Sequence, residues 1–179
     1  LAIGLAVPVA WAAARNTTPH PALRAPALAI VVASRSINSL IWALLLVAIL
    51  GPGLPAGVLA LAFRSVGFVA KLLYEAIEES DPVQTEAIVA TGAGRAEVLS
   101  YGIAPQVAPA FAGIAVFRWD INIREATVVG LVGAGGIGVP LDAAISALAW
   151  DRVAIILGVV LALVLAAEAV SARVRAAVT

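Results

Sequence analysis

VAIILGVVLALVLAAEAVS, residues 153–171, carries one charge, Glu168, in an otherwise apolar run. As a helix it is about 28 Å long, against a hydrocarbon core about 30 Å thick. It reads as a membrane span, and the rest of the chain has the matching composition. Of 179 residues, 63% are hydrophobic and 12% charged, with mean hydropathy +1.06, whereas soluble domains run at about 45–50% apolar and about 25% charged. Lys+Arg and Asp+Glu both number 11, with no basic block interleaved with aromatics, so a nucleic-acid partner is not expected. The absence of cysteine removes disulfide frameworks, thiolate nucleophiles and thiolate metal sites.

Outward from that span, the chain alternates apolar runs with polar breaks. The first run, LAIGLAVPVAWAAA (1–14), has no initiating Met and is about 21 Å long as a helix. It reads either as a signal-peptide h-region with a small-residue ending or as the tail of a membrane helix that starts upstream; the lack of a basic n-region favours the second. NTTPHPALRAP (16–26) reads as a polar connector. Residues 27–50 are interrupted by SRSINS, which predicts a short helix lying flat before a span from about Ile37. GPGLPAG (51–57) is a turn, 58–77 a second span and 105–129 a third; 141–150 is a short amphipathic helix. Grouping the 15–36, 74–104 and C-terminal segments on one side puts Arg15, Arg24, Arg35, Lys71, Arg95, Arg173 and Arg175 there, against Arg152 opposite. The positive-inside rule makes that side cytoplasmic.

Between the second and third spans, Asp81-Pro82 is a helix start, since Asp caps free N–H groups and Pro loses nothing at the first helical position. A short helix to Ala90 should stop at Thr91-Gly92, and a second, about residues 95–103, should run into Pro105, which opens the next membrane helix. Two short helices at an angle make a rigid knob; an ordinary loop with some helix is the plainer alternative.

The segment EAIVATGAGRAEVLSYGIAP (86–105) resembles the cytoplasmic signature of ABC-importer permeases, with Glu86, Ala87, Gly92 and Pro105 at the family's spacing. Ile88 replaces the third small residue, and Gly102 and Ala104 flank Ile103 where an apolar pair is usual. Within that superfamily the chain is most similar to phosphonate permeases. WAAARNTTP, SLIWALLLV, SYGIAPQVAPAF, RWDINIREATVVGLVGAGGIG and WDRVAIIL follow in the same order. Asn38-Ser39 stands where Pro-Glu is frequent and Arg64 where His is common, and the family's N-terminal helix is missing.

The resemblance implies one permease domain over 1–179, an all-α polytopic bundle of about four to five membrane helices in the bacterial cytoplasmic membrane. Residues 81–105 would be its cytoplasmic coupling segment. It implies a second permease copy, a cytoplasmic ATPase dimer seated on Glu86, Ala87, Gly92 and Arg95, and an extracytoplasmic phosphonate-binding protein. The permease would bind no cofactor directly and carry no active site, with ATP and Mg held by the ATPase; the cargo would be phosphonate or a related phosphorus oxyanion. Alternatives are a permease for another solute such as an amino acid, a secondary transporter, or a membrane enzyme. His, Cys or carboxylates clustered at one membrane depth, expected of the enzyme, and an internal repeat, expected of the secondary transporter, are not found in the sequence.

FRWDINIREATVVG (117–130) holds Arg118, Asp120, Arg124 and Glu125 in one span. Unpaired charges facing lipid are costly, so two readings compete. Asp120 with Arg124, spaced i,i+4, and Arg118 with Asn122 and Glu125 on another face brace the bundle; or Arg118, Asn122 and Arg124, with Arg64 of the second span, line a path for an oxyanion. Gly133, Gly135 and Gly138 spell GxGxxG after VVGLV, formally a dinucleotide fingerprint. With Pro140 close behind and an apolar run where the ribose-binding acid belongs, nucleotide binding is not expected. In permeases of this kind the same segment lies at the extracytoplasmic end of the third span, so Gly133, Gly135, Gly136 and Gly138 are gate candidates, against simple close packing. His20, flanked by prolines and without a second imidazole, reads as a solvated loop residue.

Overall fold

The computed structural model describes residues 1–18 and 20–178. The helices are α1 (Ala2–Ala13), α2 (Pro21–Ser36), α3 (Ser39–Leu50), α4 (Leu54–Glu78), α5 (Pro82–Val89), α6 (Arg95–Glu97), α7 (Ala104–Gly130), α8 (Gly138–Ser146) and α9 (Trp150–Val178), with a π-helical turn (Val98–Ile103) joining α6 to α7. Among the described residues, three stretches are long and apolar enough to cross a membrane: α4, α9 and the 36-residue run Arg95–Gly130. The α2–α3 pair qualifies only jointly, bent by 91°, the geometry of a broken span or a re-entrant loop, and counts as a fourth only as a single unit. The fifth in the expected range would be α1, whose 12 residues extend about 18 Å.

Three local readings are corrected. The connector expected through residue 26 ends at Pro21, because His20 caps a helix: its Nδ1 accepts the Ala22 N–H at 3.1 Å while Pro21 supplies the preset first turn. His20 is therefore a helix cap and not a plain loop residue. The span expected from Ile37 is a 12-residue helix, too short to cross by itself. Ile37 is extended, and Asn38 Oδ1 accepts from Leu40 N–H at 3.1 Å, restarting the chain in a new direction.

The third concerns the junction at Pro105, which lies in the first turn of α7 as expected, but with no break before it. Its ring would crowd the carbonyl one turn back, and the widened turn before it makes room: the Ala104 N–H reaches back five residues, to the carbonyl of Leu99. The segment from Arg95 thus continues into the membrane as one rod.

α4 is the hub, 56% buried over its most apolar window against 17% for Arg95–Gly130 and 11% for α9. It touches α1, α2, α3 and α7. Its contact faces are built from small residues: Ala6, Ala10 and Ala14 pack near Val69, Ala70 and Leu73 at one end, and Ala43 of α3 packs near Ala56 and Ala60 at the other. Small side chains let helix backbones approach closely where lipid provides no hydrophobic driving force between helices. A Cβ on Gly67 would lie 2.7 Å from Ser34 Cβ and Oγ and 2.8 Å from the Val31 carbonyl oxygen of α2. Ser34 Oγ in turn accepts the Gly67 N–H at 3.1 Å.

Gly67→Val should therefore push α2 from α4, and such overpacking costs about 1–3 kcal/mol or more. A lower thermal midpoint in detergent is expected, whereas Gly113→Ala, where a Cβ meets nothing within 4 Å, should leave the midpoint unchanged or raise it.

Candidate functional site

Arg64 of α4 and Arg118 of α7 lie at similar depth. Arg64 is fourteen residues before the end of α4 and Arg118 fourteen after the start of α7, about 21 Å in each case. The Arg118 side chain is 3% exposed. Its Nε–H donates to Ser65 Oγ at 2.9 Å, its Nη2 meets Glu125 Oε2 at 3.2 Å, and its guanidinium lies 5.4 Å from the Phe68 ring centroid. Ser65 Oγ lies 3.2 Å from Asn122 Oδ1, to which it can donate, and is also hydrogen-bonded to the Leu61 carbonyl.

Arg64 reaches the same carboxylate from the other helix. Its Nε is 3.3 Å from Glu125 Oε1, an ion-pair contact whose direction leaves the Nε–H without a hydrogen bond, and its Nη1 donates to the Ile37 carbonyl at 3.4 Å. Glu125 is thus shared by two guanidiniums, one on each of two helices. Its two oxygens suit that role, since a guanidinium fork matches a carboxylate edge. Beside this cluster a cavity of about 290 Å³ is lined by Leu61, Ala62 and Ser65 of α4 and by Arg118, Trp119 and Asn122 of α7, with the first residues of α1 on a third side.

The pairing anticipated within the third span is present on both faces. Arg118 meets Glu125, and Arg124 pairs with Asp120. The Asp120 side chain is 6% exposed and that of Arg124 53%, so the long arginine carries its charge outward while neutralising a buried acid. Sequence reading missed that Arg64 shares Glu125 and that Ser65 holds Arg118. Both are contacts between helices 53 or more residues apart, for which i,i+4 spacing gives no signal.

At the glycine segment, α7 runs through Gly130 and a turn leads to α8, so VVGLV forms no strand and the dinucleotide reading fails for that reason. A helix does open at Gly138, contrary to expectation, with Pro140 tolerated in its first turn. Gly133, Gly135 and Gly136 have φ of +81°, +82° and +77°, the left-handed region that glycine adopts freely. The backbone is also close-packed here: a Cβ on Gly135 would sit 2.8 Å from Leu54 N, and one on Gly130 2.7 Å from Gly138 Cα. Gly53 N–H donates to the Gly133 carbonyl at 2.9 Å, tying this turn to the α3–α4 turn.

In the polar segment 81–105, the knob of the sequence reading, α5 packs against the π turn that follows α6. Asp81 Oδ1 accepts the Val83 N–H at 2.9 Å, and α5 stops at Thr91-Gly92 with Gly92 at φ +84°. Gly102 lets α5 lie against the π turn: a Cβ there would meet Ile88 Cδ1 at 3.4 Å and Thr85 Cα at 3.6 Å. Gln106 fastens the two, accepting from Asp81 N–H at 2.8 Å and donating to the Gly102 carbonyl at 2.7 Å. Glu86, Ala87, Gly92, Arg95 and Pro105 are exposed, as are Val83 at 69% and Val89 at 53%. The outward surface of the knob is therefore mixed apolar and charged. Among the described residues, no group of three or more His, Cys, Asp or Glu is placed to hold a metal.

Residues 6–178 match the family described as binding-protein-dependent transport system inner membrane component. The chain is 43% identical over 175 residues to the phosphite transport system permease protein PtxC of Stutzerimonas stutzeri, covering 98% of this chain and 64% of that protein. It is 42% identical over 175 residues to the phosphate-import permease protein PhnE of Mycolicibacterium smegmatis, covering 98% and 33% respectively. The chain thus spans less than two thirds of the length of either relative. Among solved structures, a chain of the MetNI methionine ABC transporter superposes with TM-score 0.80 at 22% identity, over 99% of this chain and 88% of that one, a likeness of fold.

Nothing lies within 4 Å of a Cβ built on Gly92, so its requirement is conformational alone. Gly92→Val should strain the turn by about 1–2 kcal/mol and lower any activity that depends on the angle of α5. Gly92→Asn, which adopts the left-handed region more readily, should escape most of that strain; the contrast between the thermal midpoints of the two variants in detergent is the measurement.

Proposed function

This chain belongs to the binding-protein-dependent transport system inner membrane components, multi-pass membrane proteins, and on that premise we propose that it is the permease subunit of an ATP-driven importer for a phosphorus oxyanion. Phosphite, phosphate and phosphonates are the substrate class. The observation that carries the substrate is the 42–43% identity, over 98% of this chain, to permeases named for phosphite and phosphate. The interior chemistry agrees with it. Two guanidiniums, a hydroxyl and an amide beside a cavity form a donor set suited to phosphorus–oxygen groups.

In this reading the whole chain is one permease domain that works with a second permease copy. Two cytoplasmic ATPase subunits hold the ATP and Mg, and an extracytoplasmic binding protein delivers the cargo. Glu86, Ala87, Gly92 and Arg95 of the knob face the ATPase, with Pro105 at the base of the rod. Arg64, Arg118 and Asn122 form the anion path, and Arg124 lies toward its outer end. The turn containing Gly133, Gly135, Gly136 and Gly138 serves as the outer gate.

Vesicles containing all subunits should take up phosphite, phosphate or methylphosphonate only when ATP is inside with the ATPase. Arg118→Gln should lower the maximal rate at least tenfold, and Arg64→Gln less, with assembly intact. If uptake of all three anions proves independent of ATP, the importer assignment is rejected; if both variants keep wild-type rate and KM, the anion path lies elsewhere.

A further inference from the structure

Glu125 poses a problem for an anion path, because it fills the very groups that an oxyanion would use. One carboxylate stands against two guanidiniums, leaving the cluster with a single net positive charge; Asp120 is taken up by Arg124 on the other face. Arg118 gives one side to Ser65 and another to Glu125, and the cavity opens beside it, lined by Ser65, Arg118 and Asn122 but not by Glu125 or Arg64. Arg118 therefore lies between the resident carboxylate and the open space. Glu125 is partly exposed, at 20% of its side chain, where Arg118 is almost fully covered.

We propose that Glu125 is a resident counter-anion that competes with the transported oxyanion for Arg118. Between cargoes it holds both guanidiniums; an oxyanion in the cavity takes Arg118 from it, and Glu125 stays on Arg64 until the cargo leaves. This rests on the phosphorus-oxyanion reading above. The physical need is release. Carboxylate and phosphorus oxyanion fit the same guanidinium fork, and an unoccupied arginine pair inside a bundle would hold a dianion too firmly for transit, since conduction requires sites weak enough to leave. A tethered competitor lowers the apparent affinity by the fraction of time that it occupies the site. It also spares Arg118 from standing unpaired in the membrane when no cargo is present.

The test is equilibrium dialysis of radiolabelled inorganic phosphate against the complete permease–ATPase complex in lipid nanodiscs, without the binding protein. Glu125→Gln should bind phosphate at least tenfold more tightly than wild type, and Arg118→Gln added to it should erase the gain. A purely structural brace predicts the opposite, because loss of the carboxylate would loosen Arg118 and weaken binding. Unchanged or weaker binding by Glu125→Gln overturns the proposal. If that variant does not assemble, Glu125→Asp carries the test: it keeps the charge but is one methylene too short to span both guanidiniums, so binding should rise at least threefold, and binding at or below wild type overturns the proposal. Uptake by wild type decides the importer reading separately, since failure of ATP-driven phosphorus uptake would leave a tenfold gain in phosphate binding standing.

Discussion

Helix association in lipid has no water to exploit, so contact must come from backbones that approach closely and from polar groups that find one another. α4 is built for the first. Ala56, Ala60, Gly67 and Ala70 keep its contact faces shallow, and at Gly67 the approach leaves no room for even one carbon. Four neighbours close on it. α9 is built differently, with Ile155, Leu157, Leu161, Leu163 and Leu165 largely exposed, as suits a helix facing hydrocarbon or another apolar surface. α9 is the more apolar of the two, with mean hydropathy 2.8 against 1.7 over the most apolar windows, yet it is the less buried; the small side chains on the contact faces of α4 are what make it the hub.

Once α4 and α7 are held together, the charges within them become affordable. Arg118 at 3% exposure would be untenable alone in a membrane. Its charge is matched by Glu125 on its own helix and its Nε–H by Ser65 on α4. Arg64 then finds the second oxygen of Glu125. Close packing and charge pairing are mutually dependent here, because widening the gap between α4 and α7 would break the Ser65 and Arg64 contacts together.

Local chemistry was legible in the sequence. The second and last spans, the GPG turn, the Asp81-Pro82 start and the Gly92 stop each depend on residues within a few positions, and each stands where the residue types place it. The i,i+4 pair of Asp120 with Arg124 is of the same kind. Features set by distant partners were not legible. The 91° bend at residues 37–38 redirects α3 through an extended Ile37 and an Asn cap, which SRSINS marks as a break without giving its angle. The meeting of Arg64 with Glu125 joins residues 61 positions apart, and neither local pattern contains the other.

The continuity of Arg95–Gly130 bears most directly on how the knob and the charged cluster are related. A separate helix beginning at Pro105 would have placed a joint between them. The π turn removes that joint, carrying hydrogen bonding past the proline from the exposed end of the rod into the membrane. α5 is fastened to the same turn through Gly102 and Gln106, so a displacement of α5 loads the rod at its base. Arg118 lies about 21 Å further along it, with Glu125 two helical turns beyond. A small tilt at the base shifts those groups relative to Arg64, which is carried by a different helix. The contact most sensitive to such a tilt is the one between helices, Arg64 to Glu125, whereas Arg118 to Glu125 moves as part of α7. In the importer reading proposed above, a displacement of the knob would be felt first in how Glu125 is divided between Arg64 and Arg118.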